Sequence, residues 1–255
     1  MSRFLFLDYL ASLRERKVWL AIAILAYAVL TLPVLFARPP PHVSEAMTTW
    51  FGTQDPFVLF MYLWIDLAMN KVVAILPVIL GGGVVLRERD TQVLPVLAAK
   101  PLSLPHYFVV RTLSACGVMA TLYVGAQCVG ALYFARHIQG FRAGTFFAVM
   151  SLHVWSAIFA TALAATIAVW VGRRALGALV AILVLSLLVG LSLIGFYNPA
   201  WRKLSLVNPI SLGVQPLGNL DALGPADILV PMLALFVLSG VTLATGALAV
   251  RRMEA

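Results

Sequence analysis

Three polar residues interrupt a long apolar run and are the first candidates for chemistry. Asp66, Asn70 and Lys71 lie in the otherwise apolar stretch 56–86. Ionisable groups at membrane depth are costly and by default indicate function, and residues four apart share one helix face. We therefore consider that these residues line a translocation path. The competing interpretation, which the spacing favours, is an interfacial position from which Lys71 extends to the headgroups.

A second group of charges follows this run directly. Arg87, Glu88, Arg89, Asp90 and Thr91 come after Leu86, and a Leu-rich segment then leads to the next apolar run. An ordinary basic loop whose charges meet lipid headgroups is one interpretation of this group.

Motifs for catalysis and nucleotide binding are absent from the sequence. No lysine lies in a G-x-x-x-x-G-K-[ST] loop, so the chain is not itself a P-loop ATPase. No H-E-x-x-H, C-x-x-C or G-x-S-x-G pattern occurs, and the histidines are scattered. Cys116 and Cys128 fall about 120° apart around a helix and do not form a ready pair. The sequence predicts no catalytic residue and no metal site.

The elements that position these residues are membrane helices. Hydrophobic residues make up 62% of the 255 residues and charged residues 11%, against about 25% charged in soluble domains. Most long segments match the roughly 20 apolar residues that cross a bilayer. The sequence therefore predicts an all-α, polytopic helical bundle that forms one transmembrane domain over residues 1–255.

Six spans are predicted, with an amphipathic helix before the first. Residues 1–17 mix apolar and charged side chains and suit a helix lying at the membrane interface. The run 56–86 is long for one span and fits either one tilted helix or a lead-in helix plus a span. The predicted spans lie near residues 18–36, 57–86, 106–135, 145–171, 175–196 and 228–250.

Basic residues lie mostly on one side of this arrangement. If both termini are cytoplasmic, the non-cytoplasmic side carries only Arg38, Arg136, Arg142, Arg202 and Lys203, with Arg111 near a boundary. This asymmetry supports the orientation. Because the net charge of +8 is distributed in short clusters between spans, nucleic acid is not a predicted partner.

The stretch from Leu86 to Arg111 resembles the ABC-2 type permease family, the membrane subunits of ATP-binding-cassette exporters. Their second and third spans are commonly joined by a pattern like R-E-R-G-T, a Leu-rich turn, a P-V-S segment and a basic residue. The matching positions are Arg87, Glu88, Arg89, Thr91, Pro101, Ser103 and Arg111. Asp90 replaces the usual Gly, and the interval before Pro101 is longer than usual. The six-span layout, the basic N-terminus and Leu206-Val207-Asn208-Pro209 also fit.

The resemblance implies a half-transporter in a bacterial cytoplasmic (inner) membrane. A short cytoplasmic helix between spans 2 and 3 would couple the chain to an ABC ATPase subunit by moving as a rigid body. Its coupling residues would be Arg87, Glu88, Arg89, Asp90 and Thr91. ATP and Mg²⁺ would be bound by that ATPase and not by this chain. A second copy, or a similar permease, would complete the pathway within the membrane lipid.

Two functions of other classes stay open. A non-transporting membrane anchor or assembly factor could use the same loop to recruit a cytoplasmic partner. An ion-coupled secondary carrier should show internal repeats or interrupted helices with paired charges. No clear repeat relates residues 1–127 to residues 128–255, so the carrier is the weaker alternative.

Overall fold

The computed structural model describes residues 2–37, 45, 49, 52–91, 103–197 and 208–252. Across these residues the regular structure is helical and includes no strand, which confirms the all-α class. The Leu-rich segment after Thr91, Pro101 and residues 206–207 of the family pattern lie outside the described residues.

Five helices are long and apolar enough to cross a membrane. They are α3 (Pro56–Gly81), α5 (Leu104–His137), α6 (Ala143–Val171), α7 (Arg174–Tyr197, qualifying over Arg174–Ser192) and α8 (Pro225–Arg251). The first predicted span corresponds to α2, a helix of 22 residues over Arg16–Ala37. Two 3₁₀ turns, Pro209–Gly213 and Gln215–Asn219, precede α8.

The N-terminal segment is divided differently from the single helix expected over residues 1–17. Helix α1 covers Ser2–Leu13, a turn follows, and α2 begins at Arg16. Helix α1 packs on α5, where the Tyr9 hydroxyl and the Thr121 hydroxyl are 2.8 Å apart. Apolar residues of the outward face are exposed, including Phe6 and Leu7. A helix with an apolar outer face suits the membrane interface.

Helix α3 resolves the question left open for residues 56–86, because one continuous helix covers Pro56–Gly81. Its start is capped by Asp55, whose Oδ1 accepts hydrogen bonds from the backbone N–H groups of Phe57 and Val58. The segment Trp64–Met69 is π-helical, a rare geometry that is frequent at functional sites. The helix ends five residues before the predicted boundary.

A turn over residues 82–85 separates α3 from the short helix α4, Leu86–Asp90. Within the turn Val85 has a φ of +68°, an unusual value for a β-branched residue. Just before it, a Cβ on Gly81 would lie 2.8 Å from the Thr161 carbonyl oxygen. Glycine at this position therefore permits the close approach of α3 to α6.

Helix α6 lies at the centre of the bundle and packs against α3, α5, α7 and α8. Its buried face is rich in alanine, and helices with small residues can approach closely. At its end, Gly172 adopts a φ of +68° and its N–H bonds to the Ala168 carbonyl, which allows the tight turn into α7.

The bundle has two polar ends, the α1 end and the Arg142 end. The α1 end contains α1, α4, the start of α5 and the turn between α6 and α7, because side chains of these elements bond to one another. The Arg142 end contains the start of α3, the turn between α5 and α6, and the turn before α8.

Candidate functional site

Helix α4 carries four of the five predicted coupling residues, and the fifth, Thr91, is its C-cap. Leu86 is buried and anchors the helix, whereas Arg87, Arg89, Asp90 and Thr91 are exposed. The Thr91 hydroxyl donates a hydrogen bond to the Arg87 carbonyl at 2.9 Å and closes the last turn. The helix therefore presents two guanidinium groups and a carboxylate on its outer surface.

Glu88 differs from its neighbours because its side chain points into the protein. Its Oε1 atom accepts hydrogen bonds from Arg111 Nη2 and from the Tyr107 hydroxyl, both at 3.1 Å. Arg111 also donates from Nη1 to Asp8 Oδ1 at 2.6 Å. The side chains of Asp8, Glu88 and Arg111 are only 11%, 13% and 17% exposed. We call these three residues with Tyr107 the Arg111 cluster.

The Arg111 cluster joins three elements of different parts of the chain. Asp8 belongs to α1, Glu88 to α4 and Arg111 to α5. Arginine suits this position because its planar guanidinium can bond two carboxylates at once in a fixed geometry. The cluster fixes the orientation of α4 relative to α5, a helix that is long and apolar enough to cross a membrane.

Weaker contacts surround α4 on its other sides. Arg89 Nη1 donates to the Gly172 carbonyl at 3.2 Å, which connects α4 to the turn between α6 and α7. Arg87 Nη1 lies 3.8 Å from Glu15 Oε2, and Lys17 Nζ lies 3.2 Å from the same oxygen. Lys17 also donates to the Leu80 carbonyl at 3.0 Å. Helix α4 thus contacts the turn between α1 and α2 through Arg87 and the turn between α6 and α7 through Arg89.

The three predicted path residues are divided among different surroundings. Asn70 is fully buried, Asp66 is partly buried and Lys71 is exposed. Asp66 lies within the π-helical segment, so the four-residue spacing to Asn70 does not follow regular α-helical geometry. The three predicted path residues therefore differ in burial, from the fully buried Asn70 to the exposed Lys71.

Asn70 is one of several polar side chains that are buried in the interior of the bundle. Within the described part of the chain, neither polar atom of the Asn70 amide has a hydrogen-bond partner. The adjacent Met69 sulfur accepts a hydrogen bond from Gln127 Nε2 at 3.1 Å. The hydroxyl of Tyr123, one turn before Gln127, is also buried and lacks a partner among the described residues. Such groups are costly in an apolar interior.

A second arginine cluster lies at the Arg142 end. Arg142 Nη2 donates to Asp55 Oδ2 at 2.7 Å, and Nη1 donates to Asp221 Oδ1. The guanidinium carbon also lies 4.7 Å from the centre of the Phe57 ring. These side chains are more exposed than the Arg111 cluster, at 35% for Arg142, 40% for Asp55 and 74% for Asp221. We call Arg142, Asp55 and Asp221, together with Phe57, the Arg142 cluster.

Sequence reasoning did not identify Asp8, Glu15, Asp55 or Asp221 as functional partners. A usable signal existed for Asp8, since an acidic residue before the first span opposes the positive charge expected there. No local signal existed for the others, because their partners are far away in the chain. Arg111 was singled out only through the family pattern.

No protein-family model matches the chain, and a search of curated proteins finds no match. Among the described residues, no group of three or more His, Cys, Asp and Glu side chains could hold a metal ion.

Proposed function

We propose that this chain is the permease subunit of an ATP-binding-cassette transporter of the ABC-2 type. ATP hydrolysis in a separate subunit drives it, and α4 couples it to that subunit. The observation that carries the proposal is the division of charges on α4. Arg87, Arg89 and Asp90 are exposed, while Glu88 fastens the same helix to Arg111 of α5, which also bonds Asp8 of α1. A helix that is held rigidly and exposes charges is suited to receive a partner's motion.

The attachment of α4 explains how such a motion would reach the membrane. A displacement of α4 pulls directly on Arg111 through Glu88, and Arg111 lies on a helix of 34 residues. At 1.5 Å per residue that helix is about 50 Å long, more than the hydrocarbon thickness of about 30 Å. The motion is therefore delivered to a spanning helix without an intervening flexible segment.

The proposal includes six spans, with α2 as the first. At 22 residues α2 extends over about 33 Å, which is sufficient to cross the hydrocarbon. An even number of spans places both termini on one side, and the basic residues favour the cytoplasm for that side. The membrane is a bacterial cytoplasmic membrane, and a second copy or a similar permease completes the pathway. ATP and Mg²⁺ are bound by the partner ATPase.

Affinity purification of the tagged full chain from membranes of its native host tests this function. We expect an ABC ATPase to co-purify with the wild-type chain and to show ATPase activity after reconstitution in bilayers. The charge-reversal variant Arg89→Glu/Asp90→Arg should lose the ATPase, because it inverts the outer surface of α4. Arg136→Glu, an exposed reversal on α5 outside the α1 end, is the control and should retain it.

The variant Glu88→Ala separates attachment of α4 from contact with the partner. It leaves the exposed charges in place but removes the bonds to Arg111 and Tyr107. We expect the ATPase to bind while its stimulation by transported substrate is lost. Full retention of the ATPase by Arg89→Glu/Asp90→Arg would contradict the role of α4. Absence of any ATPase from the wild-type preparation would favour the anchor function instead.

A further inference from the structure

A cavity of about 340 Å³ lies at the α1 end, between α2, α3 and α7. Its polar part is lined by Glu15, Lys17, Arg87, Arg111 and Arg174. Its remaining wall is apolar and is formed by side chains of α3 and α7. Polar and apolar linings thus meet in one cavity, as expected for an amphipathic ligand.

The polar part carries an excess of positive charge. Arg111 is already compensated by Asp8 and Glu88 in the Arg111 cluster. Among the described lining residues, Lys17, Arg87 and Arg174 remain, with Glu15 as the one carboxylate. These lining residues therefore carry a net charge of +2, and the surplus carboxylate of the Arg111 cluster reduces the total to +1. A ligand that complements this charge is anionic.

The positions of these cations are partly fixed by contacts. Lys17 is held by Glu15 and by the Leu80 carbonyl. The guanidinium of Arg174 lies against Gly83, since a Cβ on that glycine would be 3.4 Å from Arg174 Nε. Arg87, at 3.8 Å from Glu15 and 59% exposed, is held more loosely. Two cations are placed in advance, and the third is free to close over a ligand.

The apolar wall shows from which side a ligand would enter. Ile75 of α3 and Ile182 of α7 both line the cavity and are exposed on the outer surface of the bundle. These residues belong to helices that are long and apolar enough to cross a membrane. The cavity therefore opens sideways between α3 and α7, towards the surface that lipid covers.

We infer that this cavity binds the phosphate headgroup of an anionic phospholipid. Lys17, Arg87 and Arg174 contact the phosphate, and the acyl chains follow Ile75 and Ile182 along the spanning helices. Basic pockets between membrane helices near the headgroup region bind anionic lipid in this manner. The inference does not depend on an ATPase partner, because it rests on the cavity alone.

Lipid binding to the purified full chain in a neutral detergent tests the inference. Native mass spectrometry would compare phosphatidylglycerol with phosphatidylcholine, and inorganic phosphate and glycerol phosphate would be added as competitors. We expect selective binding of phosphatidylglycerol. At about 1 kcal/mol per basic residue, Lys17→Gln/Arg87→Gln/Arg174→Gln should weaken it on the order of 100-fold.

The matched control removes the same charge from outside the cavity. Arg3→Gln/Arg14→Gln/Arg173→Gln changes three exposed basic residues that do not line it. This control should keep selective binding within about threefold. Equal losses in both triple variants would overturn the inference in favour of general surface attraction. Competition by inorganic phosphate as strong as that by phosphatidylglycerol would overturn it in favour of a soluble anion.

A second variant covers the case in which the triple variant does not remain monodisperse. Ala178→Phe keeps every charge but fills the apolar part of the cavity from α7. We expect it to lose the preference for phosphatidylglycerol while keeping the wild-type elution volume. Unchanged selectivity in this variant would show that the lipid binds elsewhere.

Discussion

At each end of the bundle one arginine bonds two carboxylates from separate parts of the chain, yet the two clusters differ in burial. The Arg111 cluster joins α1, α4 and α5, and its ionic side chains are at most 17% exposed. The Arg142 cluster joins the start of α3 to the turn before α8, and its ionic side chains are at least 35% exposed. The same chemistry is thus found in two dielectric surroundings.

This difference determines what each cluster contributes. Removing one member of a buried ion pair leaves a desolvated charge and is strongly destabilising, whereas exposed pairs contribute about 0–1 kcal/mol. We expect the Arg111 cluster to hold its three helices as one unit. The Arg142 cluster is expected to let its turns separate at little cost. Such rigidity at the α1 end is what the proposed coupling to an ATPase would require.

The largest difference in stability between the two clusters should appear when the arginine of each is removed. Arg111→Met leaves Asp8 and Glu88 without their cation and should destabilise the protein by about 3–5 kcal/mol. Arg142→Met leaves carboxylates that water can solvate and should cost at most about 1 kcal/mol. Equilibrium unfolding in mixed detergent micelles measures both. Equal losses would show that burial does not distinguish the clusters.

Replacing each arginine by lysine keeps the charge and tests geometry. Arg111→Lys cannot bond Asp8 and Glu88 in the same fixed fork, and losing one charge-assisted hydrogen bond should cost about 1.5–3 kcal/mol. Arg142→Lys should change stability by less than about 0.5 kcal/mol. The same unfolding measurement applies. A neutral Arg111→Lys would mean that charge alone holds the buried cluster.

Asp55 offers a way to separate capping from ion pairing at the Arg142 end. Asp55→Ala removes the cap of α3 and should cost about 1 kcal/mol. Asp55→Asn keeps a capping oxygen and should cost only a few tenths of a kcal/mol. Asp221→Ala, which removes an ion pair without a cap, is the control. A loss in Asp221→Ala as large as that in Asp55→Ala would assign the contribution to the ion pair.

The smallest effect is the salt dependence of the two couplings. A double-mutant cycle on Arg142 and Asp221 should give about 0.2–1 kcal/mol at low salt and approach zero at 1 M, where the Debye length is about 3 Å. The cycle on Arg111 and Glu88 should change little, because salt does not screen a buried pair to the same extent. A coupling at Arg111 that disappears in salt would show that water reaches the cluster.

Much of the fold could be predicted because membrane helices depend on local properties. A run of about 20 apolar residues must satisfy its backbone hydrogen bonds internally, so its length and composition already indicate a helix. The predicted run 145–171 corresponds to α6 in this way. Boundaries were less predictable where a turn is stabilised by packing. Helix α3 ends at Gly81 against Thr161, a contact that local sequence does not reveal.

The candidate site shows the same division between local and distant information. The sequence showed that Arg87–Asp90 form a charged run, but it did not show which of these side chains points into the protein. Glu88 points inward because Arg111 and Tyr107 lie beside it after α4 packs on α5. Asp66 is partly buried within a π-helical segment and Asn70 is fully buried, a difference that their four-residue spacing did not predict.

Local sequence determined that this protein consists of apolar helices with charged residues between them. Only the tertiary structure decided which charges meet. Asp8 and Arg111 are 103 positions apart, and Arg142 and Asp221 are 79 positions apart. The physical reason is that hydropathy depends on neighbouring residues, whereas an ion pair depends on distances of a few ångströms that helix packing sets. Burial at one end and exposure at the other follow from the same packing.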